Sequence, residues 1–212
     1  MSTTIFDLSH PLHPEMLLYP GTLPVQIKKV NTIEPNGFNE TQFIFTSHVG
    51  THVDAPAHLI AGGKSLDEFS PDTFWGLAAF LDCRLCKSFI DLNLLQKNQS
   101  LLSGCQIIIL ATHFCKKWPD VSCFTGYPVL TNEAAEFLVS MKIKILGMDT
   151  ISVDPINSAR LPIHHILLGN EVLIIENVLI PEELIGKRAE MVLSPIKYPG
   201  ADGSPVRIWA KI

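Results

Sequence analysis

The sequence predicts an α/β fold, rich in strand and folded as a single domain over residues 1–212. Three observations predict it. Short runs of Val, Ile, Leu and Phe recur along the chain, bounded by Gly, Pro, Asn or Asp, and they outnumber helical patterns. Two of them, 106–112 and 144–149, are nearly continuous apolar runs, as strands covered on both faces are. No linker, low-complexity tract or internal repeat divides the 212 residues; at ~150 residues per domain that length gives about 1.4 domains, with one as the default.

Taken in order, the strand pattern covers 5–8, 42–46, 78–82, 106–112, 143–149, 172–177, 190–194 and 206–211. Helical spacing appears three times. Over 88–96 it places Ile90, Leu94 and Leu95 on one side. Over 132–142 it aligns Ala135, Phe137 or Leu138, and Met141, with Thr131 or Asn132 to cap the first turn and Glu133 and Glu136 near the positive end of the dipole. Over 160–168 it requires Pro162 to lie in the first turn, where a missing N–H costs nothing. The stretch 198–205 is dense in turn residues and joins two strands.

Composition narrows the function. The net charge is −5, the apolar fraction 47% and the charged fraction 17%, which excludes disorder as the main state. So few charges imply that part of the surface is covered, most simply by self-association. No basic stripe is present, which argues against nucleic acid. No run approaches the ~20 apolar residues that cross a bilayer, and the first ten residues lack a secretory pattern. Five cysteines are an odd number for a disulfide framework and fit the cytoplasm. Cys83 and Cys86 have CxxC spacing, but Cys115 and Cys123 make a poor second pair for zinc, so two thiols at a strand end is the favoured reading.

The chemistry concentrates at 47–58, where three of the eight histidines fall. His48, His52, Asp54 and His58 all sit at even positions, which an extended chain would turn to one side and a helix would not. Gly50 lies in the same row, where its missing side chain would leave room between two imidazoles, and Pro56 ends a regular strand. A strand running into an ordered loop is expected. Two imidazoles and a carboxylate suit zinc or manganese.

A second segment holds His164, His165 and Glu176. Adjacent histidines point apart on a helix, so at most one is expected to be a ligand. Glu176 ends an apolar strand and by itself is as readily a capping or surface residue. Asp149 and Asp154 flank a turn, where capping is the favoured duty. His10 and His13 lie in a Pro-rich N-terminal loop with a surface role favoured, and His113 follows the apolar run 106–112 without a further clue. GxSxG, Walker and GxGxxG patterns are absent, which removes support from serine hydrolase, nucleotidase and dinucleotide-binding readings.

The row His48-x-Gly-Thr-His52-x-Asp54-x-Pro56-x-His58 closely resembles the signature of the metal-dependent cyclase family, which includes bacterial kynurenine formamidases. Tyr19-Pro20-Gly21 resembles that family's early aromatic turn, and Asp202 to Arg207 its last strand start. His164, followed twelve positions later by Glu176, resembles its second ligand pair; that spacing favours His164 over His165. The resemblance implies a swivelling β/β/α fold. It implies two divalent ions, zinc or manganese, with His48, His52 and Asp54 on one, Asp54 bridging to a second, His164 on the second, and Glu176 on one or both. His58 would move protons and Tyr19 would lie against substrate.

The implied reaction is attack of a metal-bound hydroxide on a small amide, as in hydrolysis of N-formylkynurenine to kynurenine and formate. Opening of a lactam, as by isatin hydrolase, or another small-molecule cyclisation is the alternative, and a non-catalytic metal-binding module is the alternative of another class. The family's habit implies a homodimer or homotetramer. One position departs: kynurenine formamidases typically carry Trp in the early turn, where this chain has Tyr19.

Overall fold

The computed structural model describes residues 3–212. Its strands, in chain order, are β1 (Ile5–Asp7), β2 (Gln26–Asn31), β3 (Glu40–Ile44), β4 (His52–Asp54), β5 (Trp75–Asp82), β6 (Phe89–Ile90), β7 (Ile107–Ala111), β8 (Val129–Leu130), β9 (Ile145–Met148), β10 (Leu173–Glu176), β11 (Arg188–Pro195) and β12 (Gly203–Lys211). The mixed α/β, strand-rich class is as the sequence predicts.

Four parallel strands, β5, β7, β9 and β10, form the middle of the main sheet. Antiparallel strands extend it: β11 pairs with β5, β12 with β11, and β4 with β10. β4 then also pairs with the first residues of β12, so seven strands close into a barrel, with β1 added along the last residues of β12. Alternate residues of one strand face two different apolar clusters. Ile107 and Ile109 join Phe80, Ile145, Ile175 and Ile208. Ile108 and Leu110 join Leu146 and Ile174 and meet Leu95, Leu138 and Leu167 from the helices. Both faces are covered, which is why these strands carry no polar alternation.

Helix Asn132–Ser140 starts where its cap allows: Thr131 Oγ1 accepts from the Ala134 N–H at 3.2 Å. Helix Pro162–Gly169 has Pro162 in its first turn. The helical reading of 88–96 needs correction. Phe89–Ile90 is a strand parallel to Val129–Leu130, and the helix runs Leu92–Lys97. Asp91 decides the boundary, because its side chain accepts from the Leu94 N–H at 2.9 Å and forbids earlier helix. Strand β3 starts two residues before the predicted 42–46, and its partner β2 has no sequence signal. Every residue of β3 is exposed, so the pair lacks a buried face to impose alternation.

Candidate metal centre

Barrel closure builds the site. β4 lies antiparallel between β10 and β12, with His52 opposite Glu176 and Asp54 opposite both Ile174 and Gly203. His164 arrives from helix Pro162–Gly169. The expected strand running into an ordered loop forms, but it is too short to hold the whole row. Only His52–Asp54 is strand; the chain turns at Gly50 (φ 62°), and His58 sits in the short helical turn Pro56–His58. Gly50 does not make room for imidazoles either: a Cβ there would meet Met16 Cε at 2.9 Å and Leu12 Cδ2 at 3.3 Å. Its role is a left-handed turn whose carbonyl accepts from His52 Nδ1 (2.9 Å) and Asn177 Nδ2 (3.0 Å).

The five expected ligand residues converge nonetheless. His52 Nε2 lies 3.4 Å from Asp54 Oδ1 and 3.4 Å from Glu176 Oε2. His164 Nε2 lies 3.3 Å from Glu176 Oε1 and 3.8 Å from Asp54 Oδ2. His48 Nδ1 lies 2.7 Å from Asp54 Oδ1. Each carboxylate thus offers one oxygen to His52 and the other to His164. Asp54, His52, His164 and Glu176 are all buried, whereas His48 is half-buried and His165 exposed.

The far nitrogens are fixed as well. His164 Nδ1 bonds Asp154 Oδ2 at 2.7 Å, and the same carboxylate accepts from the Ile163 and His164 backbone N–H groups at 3.1 and 3.0 Å. Asp154 does cap, as its sequence context predicts, but it also sets the ring of His164. His48 Nε2 bonds Asp202 Oδ2 at 3.0 Å. Asp202 was not singled out by the sequence; only its place in a strand-start motif marks it.

These contacts suit a cation. With zinc–ligand distances of about 2.0–2.1 Å, neighbouring ligand atoms in a tetrahedral shell stand about 3.3 Å apart, close to the separations from His52 Nε2 and His164 Nε2 to Glu176. Among the described residues three overlapping triads qualify: His48–His52–Asp54, Asp54–His164–Glu176 and His48–His58–Asp202. Histidines whose outer nitrogen donates to a carboxylate or carbonyl present the other one as a lone pair, the usual arrangement at a metal.

Electrostatics agree. Burial pulls His48 down, but the hydrogen bonds and charge of Asp54 and Asp202 overcome it and raise its pKa to about 9. Burial likewise opposes His164, and Asp154 and Glu176 lift it to about 10. Burial would raise Asp54 and Glu176, yet the surrounding histidines hold both below the ordinary carboxylate range. Two buried carboxylates demand positive charge, and protons on the imidazoles supply it wherever no cation does.

A cavity of about 430 Å³ opens on this cluster, lined also by Tyr19, Leu23, Thr46, His58, Ile151 and Leu161. The Tyr19 hydroxyl donates to the Ile156 carbonyl at 2.9 Å, which ties the early turn across the cavity. The His58 ring lies tilted against His48 with centroids 3.9 Å apart, and its Nδ1 is 4.0 Å from Asp202 Oδ2. The remaining histidines lie elsewhere. His10 stacks on Trp118, His13 is exposed, and His113 pairs with Glu182 at 2.9 Å. Asp149 accepts from the Thr112 N–H at 2.8 Å at the end of β7. Cys83 and Cys86 are free thiols just beyond β5, with Cys86 N donating to Cys83 O at 3.0 Å across the turn.

The family model described as "Putative cyclase" matches residues 6–155. A kynurenine formamidase of Bacillus cytotoxicus is 31% identical over 205 residues, covering 95% of this chain and 94% of that protein. In fold, the chain is similar to isatin hydrolase A from Labrenzia aggregata (TM-score 0.87, 21% identity, covering 99% of this chain and 94% of that one). It is also similar to an isatin hydrolase bound to the product analogue thioisatinate (TM-score 0.88, 22% identity, covering 99% and 92%). Among the described residues no helix is long and apolar enough to cross a membrane.

Proposed function

We propose, because this chain belongs to the cyclase family and gathers two buried carboxylates and three imidazoles at one cavity, that it is a metal-dependent hydrolase of a small amide. The most direct substrate is an arylformamide, with N-formylkynurenine giving kynurenine and formate, the reaction named by its 31%-identical relative. The observation that carries this reading is the split of Asp54 and Glu176, each with one oxygen toward His52 and the other toward His164. That split fits two divalent ions, zinc or manganese, on either side of Asp54. His48 and His52 would hold one ion and His164 the other, with Asp54 and Glu176 reaching both.

When bound, such ions supply Lewis acidity, lowering the pKa of a water from ~15.7 towards ~7 and polarising a carbonyl oxygen. The chain's own residues do the rest. Burial, only partly countered by Asp54, holds His58 below the ordinary imidazole value, so at neutral pH it is uncharged and accepts a proton. It takes one proton from the attacking water as the oxygen–carbon bond forms, and delivers it to the amide nitrogen as the carbon–nitrogen bond breaks. An amine and formate leave. Tyr19, Leu23, Ile151 and Leu161 present apolar walls to the aryl body.

His58→Ala tests the assignment. Metal content measured by elemental analysis should stay at the wild-type level, while turnover falls on the order of 10²–10⁴-fold. Loss of metal would make His58 a ligand. A panel of N-formylkynurenine, N-formylaniline and isatin separates formamide hydrolysis from lactam opening. Self-association into a homodimer or homotetramer is supported by the exposed Val30, Phe38, Phe43 and Ile44 around the β2–β3 hairpin, and light scattering counts the subunits. The free thiols of Cys83, Cys86, Cys105 and Cys123 fit a reducing compartment such as the cytoplasm.

A further inference from the structure

We propose that Asp202 is the positioning residue for the outer half of the centre: held by Ser47 and Tyr198, and with Gly203 as the seat of the ring, it fixes His48 with Nδ1 turned to Asp54. This rests on the two-ion reading above and goes beyond it, to what makes the two halves unequal.

Four contacts converge on one imidazole. Asp202 Oδ2 takes Nε2 at 3.0 Å, and Asp54 Oδ1 faces Nδ1 at 2.7 Å. His58 packs on the ring at 3.9 Å between centroids. The ring also lies so close to Gly203 that a Cβ there would sit 2.4 Å from His48 Cε1 and 2.9 Å from Nε2. Only glycine admits the ring in this place. Gly203 is itself pinned, because it pairs with Asp54 where β12 meets β4.

The carboxylate is held in turn. The Ser47 hydroxyl reaches Asp202 Oδ2 at 3.2 Å. The Tyr198 hydroxyl lies 3.2 Å from Asp202 Oδ1 and 2.8 Å from the Gly203 carbonyl. A carboxylate on Nε2 makes that nitrogen the donor and leaves the Nδ1 lone pair aimed at the site. His164 has the same kind of support from Asp154, but Asp154 is fully buried while the Asp202 side chain is 41% exposed. The outer imidazole therefore depends on a support open to water, and the outer ion should be the exchangeable one.

Zinc affinities of the two sites, measured by competition with a chromogenic chelator on the full chain, test this. Asp202→Asn should leave one zinc equivalent at wild-type affinity and weaken the other about 10–100-fold. Tyr198→Phe should weaken the same equivalent about two- to tenfold, since it removes one of the hydrogen bonds that hold the carboxylate. Asp202→Glu should recover part of the loss, and the melting temperature of Asp202→Asn should stay near wild type. Unchanged affinities in Asp202→Asn, or an equal loss at both sites, would overturn the proposal. Wild-type protein binding fewer than two equivalents would overturn the two-ion reading itself, before any variant is made.

Discussion

The two sides of the centre are built from the same residue types in different settings. On the inner side, His164 sits on helix Pro162–Gly169 and its ring is set by Asp154, which has no exposed surface. On the outer side, His48 lies in a bend before β4, and its ring is set by a half-open Asp202 from a turn before β12. Both arrangements orient a histidine through a carboxylate, but only the inner one also supports the fold, since Asp154 caps the helix through the Ile163 and His164 N–H groups. Burial couples the inner imidazole to stability, whereas the outer one, beside His58, stands closer to water and on the proposed reading would hold the more exchangeable ion.

The comparison breaks completely at the residue the halves share. Asp54→Asn removes the charge that faces His48, His52 and His164 together. Both ions should be lost by elemental analysis, and turnover should drop on the order of 10³-fold or more, several kcal/mol of transition-state stabilisation. Retention of a full complement of metal would show that Asp54 does not join the halves.

Asp154→Ala sharpens the contrast. It strands two backbone N–H groups and one imidazole nitrogen in the interior, each at about 1–3 kcal/mol, so a stability loss of about 3 kcal/mol or more is expected in chemical denaturation. A change at the half-open Asp202 should move that midpoint little. Equal destabilisation at the two aspartates would erase the distinction.

The contrast between the halves is smallest in pH dependence. In protein stripped with a chelator, His48 and His164 stand above their unfolded value of 6.5, at about 9 and about 10. A raised histidine contributes stability that is full below the unfolded pKa and is lost as pH rises through the folded one. Stripped protein should therefore melt lower at pH 9.5 than at pH 6.5. Zinc must displace those protons, so its stabilisation should grow over the same interval. Parallel melting curves for stripped and loaded protein across this range would contradict that assignment.

Much of this was legible beforehand. The apolar runs at 106–112 and 144–149 point to doubly covered strands, and the crowding of His48, His52, Asp54 and His58 points to the candidate centre. Other features were hidden for physical reasons. Glu176 looks like a strand-end residue because a carboxylate's burial depends on what pairs beside it, and here that is His52 across β4. Gly50 leaves no room for imidazoles because its space is filled by Met16 and Leu12, more than thirty positions away. The β2–β3 hairpin is only half legible because its faces are at most half-buried.

The sequence by itself determined the residue types, their spacing and the strand-rich class, which follow from local period and side-chain chemistry, while the preference for His164 over its neighbour came from the family resemblance. The tertiary structure alone decided which oxygen faces which nitrogen, and it alone brought Asp202 to His48 across 154 positions. The reason is closure of the barrel. β4 is three residues long and pairs on both edges with strands from the far end of the chain. Registers of that kind are fixed by the fit of the whole sheet, and no local pattern encodes them.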